Sequence, residues 1–197
     1  MRSEGRRATA APLRLLALAD EPPPADPARI VSDNGVAAVV TLGDLEPESI
    51  APLSGLAIPR LGVHGNHDAE GQLAALGIAD LHLSRVEVGG WSFAGFEGCV
   101  RYGEGPHQYS QAEAAELARE LPPADVLACH APPAGIDDEP DDPAHAGFVA
   151  LREWVERHRP KYLLHGHTQP DPRTRVRRFG DTEVVWVRGA AVVELRR

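Results

Sequence analysis

Side chains able to bind a metal ion or transfer a proton stand at the ends of five apolar runs in this sequence. The runs and the residues that follow them are Leu13–Ala19 with Asp20, Val36–Leu42 with Asp44, Ala57–Val63 with Asn66, His67 and Asp68, Asp125–Cys129 with His130, and Tyr162–Leu164 with His167. Their carboxylate, amide and imidazole groups suit Mn²⁺, Fe or Zn²⁺. Random placement would scatter such residues between strand ends and helices, so the pattern favours one shared metal crevice.

The apolar runs alternate with segments that carry helical signals, which predicts an α/β fold with strands buried on both faces. The predicted helices are Pro27–Asp33, Pro47–Leu53, Ala69–Leu76, Gln111–Leu121 and Phe148–His158. Ser110 and Glu113 match a capping box at the start of the fourth predicted helix, Gln111–Leu121. Ligands of open α/β sheets bind outside the carboxyl ends of the strands, which is where the candidate residues lie.

Glycines and alternating residues predict further detail. Gly89-Gly90 indicates a hairpin turn, because glycine supplies positive φ there. Arg173, Arg175 and Arg177 alternate, which indicates a basic strand face, either solvated or phosphate-binding. The additional predicted strands are Leu83–Val88, Trp91–Phe96, Arg173–Phe179, Thr182–Val187 and Ala190–Leu195. The glycines that are expected to turn the backbone and aim a side chain into the crevice precede Asp44, Asn66 and His167.

The composition excludes several classes of protein. The 197 residues are 43% hydrophobic and 25% charged, which is ordinary for one globular domain. No apolar run approaches the ~20 residues of a membrane-spanning helix. Cys99 and Cys129 form no Cys-x-x-Cys pair, which excludes a disulfide scaffold and a zinc ribbon. A net charge of −9 argues against nucleic acid as a partner.

Residues 1–12 are expected to form a flexible leader, and residues 13–197 a single domain. Arg6, Arg7 and the apolar stretch from 8 to 19 loosely imitate a secretory signal. Cleavage after Ala19 would remove the strand that leads to Asp20, so a buried strand is favoured. The protein is then expected to be cytoplasmic, with both cysteines reduced.

In their order, the candidate blocks resemble those of the calcineurin-like metallophosphoesterases, in a small single-domain branch. That family carries Asp-x-His, Gly-Asp, Gly-Asn-His-Asp/Glu, a single His and Gly-His-x-His. Gly43-Asp44, Gly65-Asn66-His67-Asp68 and Cys129-His130-Ala131 match the second, third and fourth blocks. The likeness spreads over residues 13–170. It implies an α/β/β/α sandwich, with mixed sheets flanked by helices.

The resemblance also implies a reaction, the hydrolysis of a phosphodiester or a small phosphomonoester by metal-activated water. One or two divalent ions per chain (Mn, Fe, Zn or Mg) would serve as cofactors. The implied metal ligands are Asp20, Asp44, Asn66, His130 and His167. In a two-metal site Asp44 would bridge the ions, His67 would protonate the leaving oxygen, and Asp68 would orient the imidazole of His67.

Two departures from the family pattern fall on the same metal site. Pro22 stands where the first block has a histidine, and Gln169 stands where the last block has its second one. Three interpretations are open. Other residues complete the site, a harder ion such as Mg²⁺ or Mn²⁺ binds there, or the site is weak or empty. The candidates for ligands or for residues that support a ligand are Gln169, Glu21, His145 and His107.

Other residues are candidates for contact with substrate or for packing. Arg101 and Tyr102 follow the predicted hairpin and are expected to bind substrate, Arg101 through phosphate. His64 and His165 are expected to pack or to support their neighbours, and His82 is expected at the surface.

The sequence therefore predicts a metal-dependent phosphoesterase that acts on a small phosphorylated substrate and has no membrane partner. The alternative is a catalytically impaired metal- or phosphate-binding sensor or regulator, which the two lost histidines support. Retention of Asp20, His67 and Asp68 argues against the alternative, because a binding module needs no protonating pair. A nuclease is a third option, which the net charge of −9 disfavours.

Overall fold

A computed structural model describes residues 12–197 of the protein. The predicted leader lies outside the described residues, apart from the exposed Pro12. The helices and strands, in chain order, are β1 (Leu13–Ala19), α1 (Pro27–Asn34), β2 (Ala38–Thr41), α2 (Pro47–Ile50), a 3₁₀ turn (Ala51–Gly55), β3 (Arg60–Gly62), α3 (Gln72–Ala75), β4 (Ala79–Asp80), β5 (Arg85–Val88), β6 (Trp91–Phe96), β7 (Cys99–Val100), β8 (Gln108–Tyr109), α4 (Gln111–Leu117), β9 (Val126–Cys129), α5 (Val149–His158), β10 (Tyr162–His165), β11 (Arg178–Phe179), β12 (Thr182–Trp186) and β13 (Gly189–Leu195).

Two mixed sheets form the centre of the fold. The first has the order β13-β1-β2-β3-β4, with β13 antiparallel to β1 and the remaining strands parallel. The second has the order β11-β12-β10-β9-β6-β5, with a parallel centre and an antiparallel strand at each edge. The parallel strands of each sheet end at the same edge, and this places the segments that follow them together.

The apolar side chains of β1 alternate between two faces, and both faces are covered. Leu15 and Ala17 belong to the apolar cluster between the two sheets. Leu16 and Leu18 pack with Val31 of α1 on the outer face of the first sheet. Helices α4 and α5 cover the outer face of the second sheet. The predicted α/β/β/α sandwich is therefore confirmed, and burial on both faces explains why the strands read as continuous apolar runs.

The strand interpretation of Leu13–Ala19 is also confirmed. All seven residues of β1 pair with β13 on one side, and four of them pair with β2 on the other. Among residues 12–197, no helix combines the length and the apolar character needed to cross a bilayer.

The capping box and the hairpin form as predicted. The Ser110 hydroxyl accepts the backbone N–H of Glu113, whose carboxylate accepts the backbone N–H of Ser110, and α4 begins there. Gly89 and Gly90 have φ angles of 58° and 81° between the antiparallel β5 and β6. Helix α4 ends at Leu117, four residues before the predicted end at Leu121.

The prediction of a strand over Arg173–Phe179 is wrong for most of its length. Only Arg178 and Phe179 form a strand, and they pair with β12. Asp171 holds the preceding segment in a turn, because its carboxylate accepts the backbone N–H of Arg173. The backbone N–H of Val176 then donates to Asp137 rather than to a neighbouring strand. Arg173, Arg175 and Arg177 therefore do not share the face of a strand.

Candidate metal centre

The candidate site lies where the strand ends of both sheets meet. Asp20, Asp44 and His167 each have a positive φ, at 62°, 54° and 66°. Residues other than glycine adopt this conformation at a cost of roughly 1–3 kcal/mol when the surrounding structure holds it. The backbone turns at these site residues themselves, and of the three glycines predicted to turn it only Gly43 has a positive φ.

Two neighbouring glycines let these loops approach one another closely. A Cβ on Gly65 would lie 2.1 Å from Oδ1 of Asp44, and a Cβ on Gly43 would lie 2.2 Å from the backbone nitrogen of Gly65. Gly43 has φ of 94°, as the predicted sharp turn requires, whereas Gly65 has no positive φ. Glycine is therefore required at position 65 because a side chain there would collide with the loop that carries Asp44.

His130 is fully buried and presents one ring nitrogen to the site. Its Nδ1 donates to the carbonyl oxygen of Leu42 at 2.7 Å, which fixes the orientation of the ring. Its Nε2 lies 3.0 Å from Oδ1 of Asn66 and 3.3 Å from Oδ2 of Asp44. A hydrogen bond at one imidazole nitrogen, with the other nitrogen turned to carboxylate and amide oxygens, is typical of a metal-ligating histidine.

His167 is held by two contacts, one to its ring and one to its backbone. Its Nε2 donates to the carbonyl oxygen of Ala144 at 2.7 Å, and its backbone N–H donates to the carboxylate of Asp20 at 3.0–3.1 Å. Asp44, His130 and His167 each offer a ligand atom, and these atoms lie within 4.8 Å of one another. The three residues form a group that could hold a metal ion.

Burial and charge together shift the pKa values of this group. Burial raises the pKa of Asp20 to about 6. Burial would also raise the pKa of Asp44, but the hydrogen bond and the charge of His130 lower it below its usual value. Burial opposes the charged form of His130, yet Asp44 raises its pKa to about 8. Burial and the charge of His130 lower the pKa of His167 to about 4. Asp44 and protonated His130 thus pair at neutral pH, and a metal ion would compete with that proton.

Asp68 does not hold the imidazole of His67, which corrects the role expected for it. Its buried carboxylate accepts the backbone N–H groups of Gly65 at 2.7 Å, Asp44 at 3.0 Å and Leu45 at 3.3 Å. The side chain of His67 is 71% exposed, and its Nε2 lies 4.0 Å from Oδ2 of Asp44. Asp68 therefore ties the two loops that follow β2 and β3 to each other.

The residues considered for the altered half of the site are not brought together beside Asp44, and two of them, His107 and His145, belong to separate groups that could each hold a metal ion, with His64 and Glu97 and with Glu139 and Asp142. Asp20 belongs to no group of three potential ligands within residues 12–197. Glu21 forms an ion pair with Arg188 at 2.6 Å, and Gln169 lies on the wall of the pocket. His145 also lines the pocket, but its Nδ1 bonds to Asp142 at 2.7 Å.

Arg101 and Tyr102 point in different directions. The guanidinium of Arg101 contacts Glu113 at 2.9 Å and the carbonyl oxygen of Gln108 at 3.0 Å, so Arg101 is turned away from the pocket. The prediction that Arg101 contacts phosphate is therefore not supported by its position. Tyr102 lines the pocket, and its hydroxyl accepts a hydrogen bond from Asn66 at 3.1 Å.

His107 lies in a separate cluster with Glu97 and cannot complete the first metal site. The Nδ1 atoms of His64 and His107 lie 3.0 Å and 3.3 Å from the carboxylate of Glu97, and the two rings stack at 4.6 Å. The hydroxyl of Tyr109 donates to the same carboxylate at 2.5 Å. His82, expected at the surface, has a largely buried side chain and turns its Nε2 toward Glu97 at 3.7 Å.

The Glu97 cluster predicts a pH-dependent contribution to stability. Burial alone would raise the pKa of Glu97. Its hydrogen bonds with His107, His64 and Tyr109 lower the pKa by more than burial raises it, so the pKa in the folded protein lies below the usual range. Such a group stabilises the fold above its unfolded pKa of ~4.3, and the contribution is lost as the pH falls toward the folded value. We expect Glu97→Gln to lower the free energy of unfolding by about 2 kcal/mol at pH 7.

Urea denaturation at pH 5 and pH 3 measures this effect, because His64, whose pKa is raised by Glu97, stays protonated in both states over this range. The difference between wild type and Glu97→Gln should be smaller at pH 3 than at pH 5, and a difference that grows would contradict the assignment. Glu87→Gln is the matched control, because Glu87 forms an exposed pair with Arg85 on β5 and should change stability little at either pH.

A cavity of about 490 Å³ opens over Asp44 and His167 of the candidate metal-binding group and is large enough for a small ligand. Asp20, Asp44, Asn66, His67 and His167 all line it. Arg188 lines it as well, although it was not among the residues predicted from the sequence for this site. Its signal in the sequence is its position directly after the predicted strand Thr182–Val187.

Comparisons with known proteins bear on the fold. No protein-family model matches the sequence, and no curated protein matches it. TT1561 of Thermus thermophilus matches with a TM-score of 0.61 and 14% identity over 94% of this chain and 99% of that one. A hypothetical protein from the same organism matches with a TM-score of 0.52 and 19% identity over 88% and 75% of the two chains. At these identities the matches show a shared fold over most of the chain and carry no information on activity.

Proposed function

We propose that the protein is a metal-dependent phosphoesterase that hydrolyses a small phosphorylated substrate and holds one divalent ion. The observation that carries the proposal is the group formed by Asp44, His130 and His167 at the ends of β2, β9 and β10. The donor set fits such an ion, because both histidines have one nitrogen engaged by a backbone carbonyl, and the other nitrogen of His130 faces the oxygens of Asp44 and Asn66.

In this proposal some residues of the site would hold the ion, and others would act on the substrate. Asp44, His130 and His167 would hold the ion, with Asn66 as a fourth ligand through its amide oxygen. When bound, a divalent ion polarises a phosphoryl oxygen and lowers the pKa of water. Tyr102 keeps the amide of Asn66 in place through its hydroxyl.

His67 is the residue placed to transfer a proton to the leaving oxygen. Its imidazole is exposed on the wall of the pocket, with Nε2 4.0 Å from the carboxylate of Asp44. General acid help of this kind contributes typically 10²–10⁴-fold to a rate. Because Asp68 does not restrain the imidazole, His67 is free to turn toward a bound substrate.

A regulator that binds a metal ion or phosphate without catalysis is the second candidate. One observation favours it: Asp68 and the imidazole of His67 do not form the pair that a protonating histidine is expected to use. The two candidates differ in whether the loaded protein turns over.

Reconstitution with Mn²⁺ tests both candidates. The protein is stripped with a chelator, loaded with Mn²⁺, and examined by elemental analysis and by hydrolysis of bis(p-nitrophenyl) phosphate and p-nitrophenyl phosphate. We expect close to one ion per chain and a hydrolysis that EDTA removes and Mn²⁺ restores. One bound ion without hydrolysis of either ester would favour the regulator, and no bound ion would refute both.

A further inference from the structure

The pocket that would receive an anionic substrate is lined mainly by acids. Five carboxylates contribute to its wall, those of Asp20, Glu21, Asp44, Glu46 and Asp68. Arg188 is the one lysine or arginine that lines this pocket within residues 12–197. A phosphate ester entering beside so many carboxylates needs positive charge in addition to a single divalent ion.

Arg188 lies in the half of the site that lacks the expected histidines. Strands β1 and β13 run antiparallel, and their last pair at this edge is Ala19 with Gly189. Asp20 directly follows Ala19 and Arg188 directly precedes Gly189, so the two residues lie side by side just beyond the paired strands. Gln169, the second altered position, lines the same pocket.

We propose that Arg188 binds a phosphate oxygen of the substrate and supplies there the positive charge that a second metal ion would otherwise provide. The inference rests on the proposed function. A guanidinium remains charged at every accessible pH and presents a planar pair of donors that matches phosphate geometry. Arg188 thus gives a one-metal site a second, permanent cation for its substrate.

Glu21 holds this guanidinium in the free protein. Its Oε1 lies 2.6 Å from Nη2 of Arg188, and both side chains are partly exposed, at 53% and 34%. A phosphate and the Glu21 carboxylate would compete for the same donors. Loss of Glu21 should therefore free Arg188 for phosphate, whereas loss of Arg188 should weaken phosphate binding.

Calorimetric titration of inorganic phosphate into the Mn²⁺-loaded protein separates these effects. The variants are Arg188→Gln and Glu21→Gln, with Arg85→Gln as the matched control, because Arg85 forms a pair of the same 2.6 Å length with Glu87 on β5. We expect Arg188→Gln to weaken phosphate binding about 10- to 100-fold, the range for a charge-assisted hydrogen bond. Glu21→Gln should bind phosphate at least as tightly as wild type, and Arg85→Gln should match wild type.

Equal weakening in Arg188→Gln and Glu21→Gln would overturn the inference, since it would mark the pair as structural. Unchanged binding in Arg188→Gln would overturn it as well, and so would two Mn²⁺ ions per chain in the wild type. Mn²⁺ stoichiometry is measured on every variant and should not change. A wild type that binds no Mn²⁺ would refute the proposed function, so the two failures are distinct.

Discussion

His130→Gln is expected to remove Mn²⁺ binding and to lower phosphoester hydrolysis at least ~10³-fold, since a metal contributes several kcal/mol to the transition state and ~1.4 kcal/mol is a factor of ten. His130 lies at the centre of the group, with Nε2 between the oxygens of Asn66 and Asp44. Glutamine cannot place a nitrogen lone pair at that point while it also contacts Leu42.

Elemental analysis and hydrolysis of bis(p-nitrophenyl) phosphate measure the two effects. His158→Gln is the control, because His158 ends α5 and does not line the pocket. Asn66→Ala is a second variant that leaves the contact between His130 and Leu42 intact, and it should also lose hydrolysis. Activity that survives in both site variants would assign the hydrolysis to another site or to a contaminant.

Hydrophobic patterning was sufficient to predict strands that are buried on both faces, whereas the α/β/β/α order of the layers was implied by the family resemblance. The continuous apolar character of Leu13–Ala19 requires cover on both faces, and the structure provides it through the second sheet and α1. The segment before Phe179 was predicted wrongly, because alternating arginines imitate a strand. A turn at Asp171-Pro172 and a long-range bond to Asp137 decide the conformation there. The turn has a local signal in the Asp-Pro pair, whereas the bond to Asp137 is not visible in the local pattern.

The position of the candidate metal-binding group was predictable because strand ends at one edge of a sheet must lie together. Asp44, His130 and His167 follow three strands, and the structure groups them. The direction of a side chain within a loop was harder to predict. Arg101 contacts Glu113 and His107 contacts Glu97, and each acid belongs to another segment of the chain, 12 and 10 residues away.

The site is built from backbone conformations that neighbouring groups must hold. Asp20 and Asp44 both have positive φ, and their loops lie against glycines with no room for a Cβ. Such strain persists only where surrounding contacts compensate for it. Asp68 provides those contacts at the loops after β2 and β3, so its effect on chemistry is expected to act through the shape of the site.

Asp68→Ala is expected to lower the free energy of unfolding by about 3–5 kcal/mol, because several donors lose a charged acceptor and unsatisfied buried donors cost ~1–3 kcal/mol each, with incomplete additivity. The Asp68 carboxylate is the acceptor that would be lost to four donors, which are the backbone N–H groups of Gly65, Asp44 and Leu45 and Nε2 of Gln72. A loss of that size lowers the melting temperature by roughly 10 °C in a chain of this length.

Thermal denaturation and Mn²⁺ titration test this role for Asp68. Asp141→Ala is the control, since Asp141 is exposed on the acidic loop and should change neither quantity. If Asp68 instead orients the imidazole of His67, Asp68→Ala should behave as His67→Ala does. Both variants would then lower kcat while stability and Mn²⁺ affinity stay at the wild-type level. We expect the opposite result, in which Asp68→Ala loses stability and Mn²⁺ affinity together, because the carboxylate holds Asp44 in the loop that must present it to the metal.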